Sequence, residues 1–243
     1  MNRLIAAFLL FAGSLTARAQ ENDFGMWNTL NLEYKLSQNF SIVACEEFRL
    51  KENLSQVNLF YTNIGFSYRI NKNFKVSPIY RFIQKRFDDG YYGLKHRLML
   101  DLGYKQKLGM IRFGYRARLQ GEIAYPGADR LGDVAEYYWR NKFDFKLDIN
   151  SSRFVPYFGT ELRVQLFNPR IREHQEFGFD RTRLYAGCDY EINDGNTFGL
   201  YYLVQFDFQQ NDPVTQYILG LEYSLTLFGG GGDSDNGDNK INE

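Results

Sequence analysis

The sequence predicts an all-β protein, an antiparallel up-and-down transmembrane β-barrel of 10–12 strands. Three observations carry that prediction. Side chains alternate between apolar and polar through nearly the whole chain after residue 23, and a period of two puts each set on one face of a strand. The alternating segments run to ~12–14 residues, against about 5–6 for an ordinary strand and about 9–11 for a tilted strand that crosses a bilayer. Aromatic residues cluster at the strand ends, on the apolar face, where rings sit in a membrane–water boundary.

The segments follow in order. "MNRLIAAFLLFAGSLTARA" has Arg3, an apolar run from Leu4 to Ala12, and an A-x-A site at Ala17–Ala19. That order reads as a signal peptide over 1–19, too short to span as a helix. Strands are expected at 24–36, 40–51, 57–70, 74–87, 92–107, 111–124, 137–148, 154–167, 179–191, 197–209 and 214–228. In the fourth, Phe74, Val76, Tyr80 and Phe82 face away from Lys75, Ser77, Arg81 and Lys85. In the sixth, Ile111, Phe113, Tyr115, Ala117 and Leu119 alternate with Arg112, Gly114, Arg116, Arg118 and Gln120. The last strand puts Tyr217, Leu219, Leu221, Tyr223, Leu225 and Leu227 on one face and ends in Phe228, which resembles the assembly signal of bacterial outer-membrane barrels. Eleven segments are read where bacterial barrels carry an even number, so ten or twelve wall strands are expected.

Connections alternate in length. Tight turns at 37–39, 71–73, 108–110, 149–153 and 192–196 use Asn, Gly, Asp and Ser, which tolerate turn backbone angles. Longer polar loops fill 125–136 and 168–178, and short polar ones 52–56 and 88–91. Residues 229–243, "GGGGDSDNGDNKINE", read as a flexible acidic tail.

The direction of each face follows from composition. Aromatics are 17% of the chain, with 22 Phe and 18 Tyr, yet charged residues are 24% and mean hydropathy is negative. Two nearly matching stretches, "YKLSQNFSI" at 34–42 and "YRINKNFKV" at 68–76, each place an aromatic on either side of a polar turn. Tyr34, Phe40, Tyr68, Phe74, Tyr104, Phe154, Tyr190 and Phe198, with Phe145, should form one interfacial belt. The polar face then lines the lumen. Between 75 and 148 it holds the bases Lys75, Arg81, Lys85, Lys95, Arg97, Lys105, Arg112, Arg116, Arg118, Arg140, Lys142 and Lys146, against the acids Asp101, Glu122, Asp144 and Asp148. Glu33, Glu47, Glu161, Asp189, Glu191, Asp207 and Glu222 on other strands would compensate them, as a salt-bridge network packing a narrow interior.

"EEFRL" at 46–50, "YRF" at 80–82, "DDGYY" at 88–92 and "HRL" at 96–98 occur in that order. They resemble an uncharacterised outer-membrane β-barrel family of Gram-negative bacteria, domain of unknown function twenty-four ninety, over about residues 22–228. The resemblance implies an outer-membrane location and supplies no activity or site residues.

Chemistry is sparse. His96 falls on the lipid-facing parity with no nearby serine. His174 lies in "REHQEF" with Glu173 and Glu176, without the spacing of a metal site. Cys45 and Cys188 fall on opposite faces and read as free thiols. Removal of residues 1–19 takes away Arg3 and Arg18, leaving 27 basic and 29 acidic residues, a balance that argues against nucleic acid. The expectation is therefore a monomeric, non-enzymatic outer-membrane barrel without cofactor, metal or catalytic residues. It would contact outer-membrane lipid, and the barrel assembly machinery during biogenesis. It would serve envelope structure or as a narrow, anion-favouring pore. Alternatives are a membrane-embedded hydrolase using His96 or His174, and a soluble periplasmic binding barrel.

Overall fold

A computed structural model of the chain describes residues 22–86, 90–124, 135–167, 178–208 and 215–229. The expected signal peptide, His174, most of 125–136 and 168–178, and the tail beyond Gly229 lie outside the described residues.

Eleven strands close into one barrel: β1 (Asn22–Lys35), β2 (Phe40–Lys51), β3 (Gln56–Arg69), β4 (Phe74–Arg86), β5 (Tyr92–Leu108), β6 (Ile111–Ala124), β7 (Ala135–Leu147), β8 (Phe154–Phe167), β9 (Gly178–Asn193), β10 (Asn196–Asp207) and β11 (Thr215–Phe228). Each pairs antiparallel with its chain neighbours. The eleven segments read from the sequence are all wall strands, so the even count expected of bacterial barrels gives way to an odd one. An odd count makes the first and last strands point the same way, and β1 closes against β11 in parallel. The seam runs from Asn22↔Thr215 to Lys35↔Phe228 without a slip. It sets Leu30, Leu32 and Tyr34 beside Tyr223, Leu225 and Leu227. A one-residue shift would turn that apolar row inward, so the hydrophobic pattern fixes the register. The first strand therefore enters the wall at one end of the barrel and the last leaves it at the other.

The five tight turns read from the sequence lie at the end where β11 finishes, while the equally short turn at 52–55 joins β2 to β3 at the other; polar side chains of the former satisfy the turn backbone. Asn71 Oδ1 accepts from the amides of Asn73 and Phe74, both at 2.9 Å. Ser37 Oγ accepts from Phe40 N at 3.1 Å, Ser152 Oγ from Phe154 N at 3.0 Å, and Asn193 Oδ1 from Gly195 N at 3.0 Å. Gly109 takes φ +60°, where a β-carbon would be strained.

Burial is inverted relative to a water-soluble sheet. Ile64 and Leu98 are 57% and 66% exposed, while Gln120 and Glu161 are 1% and 5% exposed. The greasy face of every strand looks out and the ionic face looks in, the arrangement of a barrel in lipid. Rings line the tight-turn rim of the outer face. Phe74 and Tyr104 lie 4.8 Å apart, Tyr104 and Phe113 6.3 Å, Phe113 and Phe145 5.3 Å, and Phe145 and Phe158 5.1 Å. Phe154 and Tyr190 are 5.0 Å apart, Phe198 is the strand partner of Tyr190, and Phe40 is that of Tyr68. A second set, absent from the sequence reading, rings the opposite rim: Phe179–Phe208 at 5.3 Å and Tyr137–Phe167 at 6.4 Å, beside the exposed Trp139.

Inside, one side of the lumen is filled by alternating rings and glycines. Trp27, Gly220, Tyr201, Gly187 and Tyr157 are successive cross-strand partners through β1, β11, β10, β9 and β8. Each tyrosine ring leans over a glycine. A β-carbon on Gly187 would stand 2.8 Å from Tyr157 Cζ. Tyr185 lies over Gly159, its own strand partner, in the same way. Trp27, Tyr185, Leu203 and Ile218 form the small buried apolar cluster beside them.

Candidate functional site: a charged lumen

The remaining lumen is a cavity of about 1340 Å³ that reaches residues near both rims. Among the described residues, sixteen Lys and Arg line it against eleven Asp and Glu. Two walls carry most of that charge.

The wall from β6 to β9 holds a row of arginines. Arg118, Arg140, Arg163 and Arg181 are cross-strand neighbours on consecutive strands. Like charges directly opposite one another destabilise a sheet, and here each guanidinium has a carboxylate. Arg118 makes a two-pronged contact with Asp101 at 2.6 and 2.7 Å. Arg163 reaches Asp180 at 2.6 Å, and Arg181 donates to Asp207. Arg140 donates to Glu161, which also accepts from Arg116 at 2.7 Å and from Arg183 at 2.9 Å. Three guanidinium groups thus share one buried carboxylate. The Nε atoms of Arg116 and Arg140 are buried with no hydrogen-bond partner among the described residues.

The wall from β1 to β5 holds cations on aromatic faces. The Arg49 guanidinium lies 3.5 Å from the Trp27 ring centroid and that of Arg81 3.5 Å from Tyr61, a contact favourable through the ring quadrupole. Glu47 fixes this wall by accepting from Tyr61 at 2.7 Å, Thr29 at 3.0 Å and Arg49. Arg183 comes within 5.0 Å of the Trp27 ring, joining the two walls. Arg81 donates to Asn63 Oδ1 at 2.6 Å, and among the described residues it has no carboxylate partner. Its strand neighbour Arg97 binds Glu122 through Nε at 2.8 Å, and Lys95 binds the same carboxylate at 2.9 Å.

Of the other bases, Lys142 is the cross-strand partner of Arg116 and of Glu161. Lys75, Lys85 and Lys105 line the cavity. Lys142 contacts Asp144 at 3.3 Å, and Lys146 contacts Asp189 at 2.5 Å. Arg112 stands at the tight-turn rim with Asp148 at 2.5 Å and Glu191 at 3.3 Å. The ionic interior and the apolar exterior are thus one continuous pattern over eleven strands.

The family model described as protein of unknown function (DUF2490) matches residues 24–216. The chain belongs to this family. No curated protein matches it. Among solved structures, this DUF2490 barrel is similar to the NanC porin, with 16% identity, 84% of this chain and 98% of that chain covered, and a TM-score of 0.53. The beta domain of the Bordetella autotransporter BrkA matches at 12% identity over 76% and 82% of the two chains, TM-score 0.45. The translocator domain of autotransporter NalP from Neisseria meningitidis matches at 15% over 74% and 72%, TM-score 0.39. The likeness to the porin is one of fold.

In the DUF2490 barrel, Arg49, Arg163, Arg181 and Arg183 line the cavity together with ten of the twelve bases read between 75 and 148, Arg112 and Lys146 being the two outside its lining. Strand parity could have placed Arg49 and Arg163, which alternate with apolar side chains, whereas Arg181 stands between Asp180 and Thr182 beside a register shift. Convergence of three arginines on Glu161 had no sequence signal, because its members come from four strands. His96 lies on the outer face, with Nδ1 hydrogen-bonded to Tyr80 Oη and the ring 5.6 Å from Phe82. The free Cys45 faces the lumen and the free Cys188 lies on a strand position of opposite parity. No grouping of three His, Cys, Asp or Glu suited to a metal occurs among the described residues.

Proposed function

We propose that the protein is an outer-membrane barrel whose lumen passes small solutes, with anions favoured over cations. The observation that carries this reading is the surplus of Lys and Arg over Asp and Glu along a cavity that approaches both rims. A surplus of fixed positive charge in a low-dielectric tube raises the local anion concentration and lowers that of cations. The porin-like fold supports the same reading. Arginine suits the task because its donors are spread around a planar fork, so a guanidinium can hold a carboxylate and still offer an edge to a passing anion. Stacking on Trp27 and Tyr61 holds Arg49 and Arg81 against the lumen wall.

The test is ion conduction by the refolded chain in planar bilayers under a potassium chloride gradient. A reversal potential shifted toward chloride is expected. Absence of conductance, or a shift toward potassium, would overturn the reading. Absence of conductance would mean that the dense pairing around Glu161 seals the tube and that the barrel's role is that of an envelope structural element.

A further inference from the structure

We infer that the middle of the lumen is a discrete binding site for one multiply charged oxyanion, held between Arg81 on β4 and the trio Arg116, Arg140 and Arg183. The inference rests on the reading of the lumen as anion-favouring and names the place where the preference is strongest.

Charge balance at this level carries the argument. Arg118 is spent on Asp101 in a two-pronged contact. Arg97 and Lys95 share Glu122. Arg81 is 7% exposed, and among the described residues its direct contacts are the neutral Asn63 oxygen and the face of Tyr61, with Glu47 acting on it at longer range. Arg116, Arg140 and Arg183 have Glu161 between them. Two charges remain on the first wall, one on Arg81 and one on the Arg97–Lys95–Glu122 group, and two on the second. Arg118 lies in the field of both groups, acting on Arg81 and on Arg140, so the two surpluses belong to one region. Arg140 is nine-tenths buried, and neither its Nε nor that of Arg116 has a hydrogen-bond partner among the described residues. Buried cations and unpaired donors are costly, and an anion with two or more charges and several acceptor oxygens would relieve both at once. Chloride offers one charge. Inorganic phosphate and small polycarboxylates share the chemistry the site asks for, which is paired negative oxygens matched to guanidinium forks.

The site is tested on the full chain in detergent by thermal unfolding with inorganic phosphate or citrate, against chloride at equal ionic strength. A saturable rise in melting temperature is expected with either oxyanion and not with chloride. Arg81→Gln should weaken half-saturation about tenfold or more, and Arg81→Lys should weaken it less. A non-saturating rise that is the same in Arg81→Gln would be general salt stabilisation and would overturn the site. The second measurement is block of chloride current by phosphate in the bilayer. Chloride preference without block or saturable stabilisation sinks the site and leaves the pore. Saturable stabilisation in a barrel that does not conduct sinks the pore and leaves the site.

Discussion

Tyr201 lies across Gly220, its direct cross-strand partner, so closely that a β-carbon on the glycine would stand 1.9 Å from Tyr201 Cζ. Trp27 flanks the same glycine from the parallel seam. The ring of one strand therefore occupies the space that the side chain of the next has vacated. This locks β10, β11 and β1 at the point where the barrel closes.

Gly220→Ala should accordingly destabilise the barrel by about 1–3 kcal/mol, the range for overpacking. Gly114→Ala, whose β-carbon would meet Asp144 Cβ at an ordinary 3.5 Å, should change stability little. Urea midpoints of the two variants in lipid vesicles make the comparison, and equal midpoints would contradict the packing described for the seam.

Glu161 is the shared counter-ion of three arginines. Replacement by Gln keeps the shape and removes the charge, leaving buried guanidinium groups uncompensated. Stability should fall by about 3 kcal/mol, as for one broken partner of a buried pair. Chloride preference should rise in bilayers, because the lumen gains a net positive charge. An unchanged preference would mean that conducted ions do not approach this wall.

Leu98 tests which face meets lipid. At 66% exposure on the outer wall, Leu98→Arg should cost about 2–4 kcal/mol if the residue lies near the bilayer midplane. The readout is the folded fraction in vesicles. A tolerated arginine at this position would mean that water, not hydrocarbon, covers the outer face.

The odd strand count places the start of β1 and the end of β11 at opposite rims. If the tight turns face the periplasm, as in other such barrels, an epitope placed just before Asn22 should label on intact cells. One placed after Gly229 should label only after permeabilisation. Labelling of both under the same condition would require an even number of spans.

Much of this was legible in the sequence because a strand's two faces are written by parity. Phe74 and Tyr80 against Lys75 and Arg81 announced the outer and inner walls, and strand boundaries read from alternation lie within two residues of those in the barrel. The tight-turn belt was equally local: Phe40, Tyr68, Phe74 and Tyr104 each flank a turn. The opposite belt was not seen, since Trp139, Phe167, Phe179 and Phe208 border connections of unequal length and share no turn spacing.

By itself, then, the sequence determined the strands, their inward and outward faces and the basic character of the interior, because these depend on neighbours one or two residues apart. Only the tertiary structure decided that eleven strands close through a parallel seam, that Tyr201 nests on Gly220, and that Glu161 gathers Arg116, Arg140 and Arg183. Those contacts join residues tens to nearly two hundred positions apart, and their partners are set by the stagger of a closed sheet, which no local pattern encodes.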